Sequence, residues 1–177
     1  SAQVAAAAEE RVLATIDEFE RRFTVHDPGS ELCRWRAGEL DRPSADLVAV
    51  RAQAERWHRA SDGAFHPATA EVSARWRAAA TEDLLPTDDE LDQLAESLRR
   101  LPYEVVDGVL RRTGDSSSVD LNALAKGWIV DRAVAAAMSA TGAFPAERPR
   151  SVVVNAGGDL VHVGEGSVRV GIEDPRR

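Results

Sequence analysis

Apolar residues recur at helical spacing early in the chain. Val12, Ile16, Phe19 and Phe23 share one face, which predicts a helix from Ala5 to about Arg22. Asp27-Pro28-Gly29-Ser30 then supplies turn chemistry. Ser44 is placed to cap a second helix reaching about Ala60, with Leu47, Val50, Ala54 and Trp57 as its buried stripe. Residues 63–69 read as a loop, where Pro67 opposes regular helix. A short helix over 72–80 and a polar connection over 82–87 follow. Thr87-Asp88-Asp89-Glu90 resembles a capping box for a helix ending near Arg99, its acidic first turn compensating the helix dipole. The period then changes. Residues 103–112 read as a hairpin turning at Asp107-Gly108, and 118–120 as a short strand feeding an Ala-rich helix that runs to about Thr141. Residues 142–149 are the most linker-like stretch, and strands at 151–155, 160–163 and 168–172 form a meander. The order predicts an α+β fold, with helices packed on an antiparallel or mixed sheet.

Composition narrows the function. A chain of 177 residues with 44% hydrophobic positions has the size of one compact domain. The formal net charge of −8 argues against a nucleic-acid surface or a polybasic membrane contact. The single cysteine, Cys33, excludes an internal disulfide and a Cys-based zinc site, and reads as a small, partly buried residue. The sequence contains no apolar run of membrane-span length and no signal peptide or lipobox.

The chemistry concentrates in two segments. In Asp120-Leu121-Asn122-Ala123-Leu124-Ala125-Lys126-Gly127, Asn122 is placed as an N-cap. The amides of Ala123, Leu124 and Ala125 would then point out of a helix start that attracts phosphate, with Lys126 adding positive charge. In Val154-Asn155-Ala156-Gly157-Gly158-Asp159, a β-branched run ends in paired glycines that let a backbone approach a ligand closely. Together they suggest a nucleotide-type ligand. Each also has a plainer reading: a tight turn between strands, and a solvated lysine on a helix. Asp120 can orient a phosphate or metal-bound water, or simply cap the helix; Asp159 can bond a flavin or ribose edge, or stabilise its turn.

Two upstream segments join these, Ser30-Glu31-Leu32-Cys33-Arg34-Trp35 and Ser61-Asp62-Gly63-Ala64-Phe65-His66-Pro67-Ala68-Thr69. A last block is Val168-Arg169-Val170-Gly171-Ile172-Glu173-Asp174-Pro175. In this order the blocks resemble the FAD:protein FMN transferases, the ApbE family of magnesium-dependent bacterial enzymes. The family patterns are S-E-L-S-x-x-N, G-x-F-D-P-T, D-L-G-x-I-A-K-G-x-x-x-D, N-x-G-G-D and W-x-V-G-I-x-D-P. The Ala-Lys-Gly block is the specific one, and the resemblance runs from about Phe23 to the last residues. Here Cys33 replaces the usual Ser, Arg36 a frequent Asn, and His66 the Asp of G-x-F-D-P. A lone loop histidine is usually structural, so His66 is given no catalytic role.

The resemblance implies a single, partial ApbE-like domain over residues 1–177. It implies FAD as substrate, transfer of FMN to a Thr or Ser hydroxyl of an acceptor protein, and release of AMP. A non-catalytic FAD/FMN-binding module and an FAD pyrophosphatase giving FMN and AMP are the alternatives. The flavin-nucleotide contacts fall on Ser30, Glu31, Asp120, Asn122, Lys126, Asn155, Gly157, Gly158 and Asp159, and the backbone carbonyl of Ala125 is one magnesium ligand. The family's opening Met-Gly-Thr strand, its His-x-x-Asp-Pro-x-Thr-Gly segment and its magnesium-holding Asp and Thr have no counterpart here. The catalytic groups are therefore expected beyond Arg177, and residues 1–177 alone are expected to be inactive. An incomplete sheet would expose an edge suited to homo-oligomer formation. Compartment stays open: cytoplasmic as read, an exported membrane-anchored lipoprotein if a signal has been removed.

Overall fold

The computed structural model describes residues 1–115, 117–121, 124–141 and 147–172. Among them are six helices and two two-stranded antiparallel sheets, so the α+β expectation holds. The chain separates into two compact units, Ser1–Phe19 with Lys126–Arg177, and Glu20–Ala125. No helix among the described residues is long and apolar enough to cross a membrane.

The first unit takes most of α1 (Ala2–Phe23) and α6 (Ala125–Met138), with strands β3 (Ser151–Ala156) and β4 (Asp159–Gly164). Val130, Val134 and Val154 form one buried cluster; Ala8, Ala137 and Ala140 form another, where small side chains bring α1 close to α6. Ala156 pairs with Asp159 across the two-residue turn Gly157-Gly158. Both glycines have positive φ (57° and 96°), as a type I′ hairpin turn requires. The expected third strand is not there: residues 167–172 have no regular structure, and Val170 and Ile172 are 56% and 94% exposed. Its alternation predicts a face to bury, but a strand forms only against a neighbour, and no described strand runs beside it.

The second unit holds α2 (Glu31–Ala37), α3 (Ala45–Ala60), α4 (Ala70–Glu82), α5 (Asp88–Ser97) and the hairpin β1 (Tyr103–Val106) with β2 (Val109–Arg112). Leu32, Trp35, Leu47, Val50, Ala54, Tyr103, Leu110 and Val119 are buried. The hairpin turns at Asp107-Gly108 as expected, both residues at positive φ. Helix α2 has no counterpart in the periodicity because seven residues carry only Leu32 and Trp35 as an apolar pair; its ends are nonetheless well marked by Ser30 and by the left-handed Gly38. Helix α3 starts at the Ser44 cap as predicted, but Trp57 is 49% exposed. The buried positions are 47, 50, 51 and 54, continuing to half-buried His58. A charged residue, Arg51, occupies the place that rotates Trp57 outward. Nor do residues 118–120 form a strand; two isolated bonds, Ala70 N–H to the Ser118 carbonyl and Asp120 N–H to the Pro67 carbonyl, tie them to the 67–70 loop.

Helix α5 carries the capping box in full. The Thr87 hydroxyl accepts from the Glu90 amide, and the Glu90 carboxylate accepts from the Thr87 amide at 2.7 Å. That carboxylate also takes two bonds from Arg75, each 3.1 Å. The Arg75 bonds first, then the Thr87 amide, hold the Glu90 carboxyl down at about 2. Thr87→Ala is expected to cost about 1 kcal/mol in urea unfolding, the usual loss at a cap. Because the folded-state value is depressed from 4.5, the Glu90 contribution is complete above pH 4.5 and lost as pH falls toward 2. Glu90→Gln should therefore flatten the acid limb of the stability–pH curve across that window; an unchanged limb would mean other carboxylates govern it.

Candidate functional site

Five of the expected contacts meet in the first unit. Lys126 lies in the first turn of α6, and its ammonium donates to the Gly157 carbonyl at 3.2 Å and sits 3.3 Å from the Asp159 carboxylate. The Asn155 side-chain oxygen accepts from the Gly158 amide at 3.1 Å, closing the hairpin turn. Asn155, Gly157, Gly158, Asp159 and Lys126 thus form one constellation, although 31 residues separate lysine from turn. The Lys126–Asp159 pair is about half exposed on both sides, so it adds little to stability and yields readily to a stronger anion. A Cβ built on Gly158 meets nothing within 4 Å, which leaves the backbone open to approach there.

The other candidates lie in the second unit. Ser30 is buried; its hydroxyl donates to the Thr24 carbonyl at 2.7 Å and accepts from the Cys33 amide at 3.1 Å. The Glu31 carboxylate accepts from both the amide and the hydroxyl of Ser44, the latter at 2.9 Å. Both side chains therefore fasten helix starts, one its own and one that of α3. Cys33 is half-buried, its thiol 3.6 Å from the Thr24 carbonyl. The Asn122 cap lies outside the described residues. What can be seen of that helix start differs from the expectation. The amides of Leu124 and Ala125 donate to the Leu121 carbonyl at 2.8 and 2.7 Å, so these two do not point free toward a ligand. Ala125 is the first residue of α6, where its carbonyl begins the intrahelical series.

Asp120 lines a cavity of 160 Å³ together with His66, Thr69 and Ser73. His66 accepts from the Ala68 amide at Nδ1, which assigns the proton of the neutral ring to Nε2. Burial first, and the His58 ring 4.9 Å away second, hold its pKa below the ordinary value against an opposing effect of the Leu98 backbone. The ring is thus neutral at pH 7, a hydrogen-bonding wall of the cavity. The signal for this group is the loop 63–69 itself, whose histidine stands alone in the sequence. Among the described residues, no three His, Cys, Asp or Glu side chains converge to hold a metal ion.

The ApbE family model matches residues 1–177. No curated protein matches the chain. Among solved structures, it is similar to a histidine-to-glycine mutant of the flavin transferase ApbE from Vibrio cholerae, with a TM-score of 0.63 at 18% identity, covering 90% of this chain and 61% of that one. Another structure of the flavin transferase ApbE from Vibrio cholerae gives 0.62 at 18%, covering 83% and 54%. The apo flavinyl transferase ApbE of Pseudomonas stutzeri gives 0.62 at 14%, covering 90% and 59%. The chain therefore spans less than two thirds of each of these proteins, with the same fold over that span. With its whole length matched by the family model, the chain belongs to the ApbE family.

Proposed function

We propose that this chain is part of an FAD:protein FMN transferase. The observation that carries the reading is the meeting of Lys126 with the Asn155–Asp159 turn, because it joins the most specific motif of the chain to its paired glycines. A diphosphate offers the ammonium two negative charges in exchange for one exposed carboxylate, and charge-assisted bonds of this kind outlast a surface ion pair. Gly157 and Gly158 keep bulk away from the phosphate, and the Asn155 side chain holds the turn in the shape that presents them. Ser30, Glu31, Asp120 and Asn122 belong to the same proposal as flavin-nucleotide contacts.

In the transfer, the acceptor Thr or Ser oxygen attacks the flavin-side phosphorus. The bond from that phosphorus to the bridging oxygen breaks, AMP leaves with the oxygen, and the hydroxyl proton is released. Such chemistry asks the protein for alignment and charge neutralisation. Magnesium dependence, with the Ala125 carbonyl as one ligand, is carried by the family resemblance alone. The described residues gather no site for the ion, and no step above depends on it. Self-association is a further expectation: the outer edge of β3 borders a groove of 740 Å³ along the apolar face of α1, the kind of edge another strand can pair with.

Two measurements test the reading on the full-length parent protein. FAD should quench on titration, and Lys126→Ala should weaken FAD by roughly 1–3 kcal/mol while leaving riboflavin, which lacks phosphate, unaffected. Equal losses for both ligands would make the lysine a support of the fold. Incubation with FAD and an acceptor Thr peptide should add FMN to the peptide, as read by mass spectrometry. Free FMN and AMP with an unmodified peptide would mean hydrolysis, and FAD binding without turnover a binding module.

A further inference from the structure

The most unusual side chain of the second unit is Arg51, on α3, which the flavin reading leaves unused. It is fully buried. Its guanidinium carbon lies 5.3 Å from the ring centre of Trp35 on α2 and 5.3 Å from that of Tyr103 on β1, the two rings standing edge to face. Nη1 donates to the main-chain carbonyl of Asp120 at 3.3 Å, across 69 residues of sequence. Nε and Nη2 are buried with no acceptor within hydrogen-bond geometry. Burial, the largest influence, brings the pKa down to about 10, against the raising effects of Tyr103 and Asp120, so the group remains a cation at neutral pH.

Stability alone does not account for such a residue. The rings give back part of the cost of burying the charge, but a methionine of similar length would fill the same space without that cost. What only a guanidinium or similar donor supplies is the directional bond to Asp120. The peptide on the other side of this residue is held as well, by the Asp120 amide donating to the Pro67 carbonyl at 3.0 Å. Held at both atoms, the main chain at 120 has one place to be, and the residue there lines the 160 Å³ cavity shared with His66, Thr69 and Ser73.

We infer that Arg51 is a positioning residue for the candidate site, fixing the main chain at Asp120 and through it the carboxylate presented to ligand. The inference rests on the proposed role of Asp120 in flavin-nucleotide binding for its functional half. The experiment compares the full-length parent with Arg51→Met and with Val50→Ala, a buried substitution one residue away that leaves the bond to Asp120 in place. Amide exchange is followed without ligand, and FAD affinity at a temperature where all three are folded. Arg51→Met should speed exchange over residues 117–121 about tenfold while α3 stays protected. It should also weaken FAD about tenfold. Val50→Ala should lower the melting temperature and change neither selectively. If Arg51→Met does not fold, Arg51→Gln is read the same way. Exchange over 117–121 equal to the parent's would overturn the inference, as would a loss matched by Val50→Ala. Faster local exchange in a protein whose parent binds no FAD would uphold the positioning and remove the flavin reading.

Discussion

The second unit is organised around one buried cation. Arg51 contacts side chains from α2 and β1 and a carbonyl on the segment before α6, so four parts of the chain share a single planar group. An apolar core tolerates sliding, because dispersion contacts are non-directional and many packings have similar energy. A guanidinium between two rings with one bond to a carbonyl does not. It prefers one arrangement and penalises the rest, as buried polar groups that confer specificity do elsewhere. The shape of the cavity beside Asp120 follows from that preference.

The candidate site shows a second physical theme, in which candidate ligand contacts are satisfied within the protein. Ser30 and Glu31 spend their hydrogen bonds on helix starts, and Lys126 spends its charge on Asp159 and Gly157. These engagements differ in depth. The Ser30 hydroxyl is buried and bonded twice, whereas the Lys126 pair is half open to water. The exposed pair exchanges partners at little cost; the buried hydroxyl exchanges only by giving up a bond that water does not replace.

Much of this was legible in the sequence, for identifiable reasons. Long helices with a repeating stripe, caps with paired donors and acceptors, and two-residue turns are local, so α1, the Ser44 and Thr87 caps and both hairpins lie where the sequence puts them. The family motifs were also visible, because order and spacing survive where overall identity is as low as 14–18%. What could not be read depends on partners distant in sequence. Residues 168–172 alternate like a strand, yet alternation supplies no neighbour. Trp57 has the composition of a core residue, and its exposure follows from Arg51 taking the buried position. At the start of α6 the Leu121 carbonyl takes the amides of Leu124 and Ala125, two of the three expected to be free, a pairing that only the folded backbone reveals.

The hairpins carry a consequence for how the chain folds. Every described strand pairing closes a loop of only two residues, across Asp107-Gly108 or Gly157-Gly158. Closing such short loops costs little chain entropy, and hairpins of this kind form in roughly 1–10 μs. Among the described residues, strand pairing is therefore not the slow event. The search falls instead on contacts such as Arg51 to Asp120, whose ends are 69 residues apart. Both β-structures can stand ready, locally complete, while the segment that bears the cavity is still finding its place.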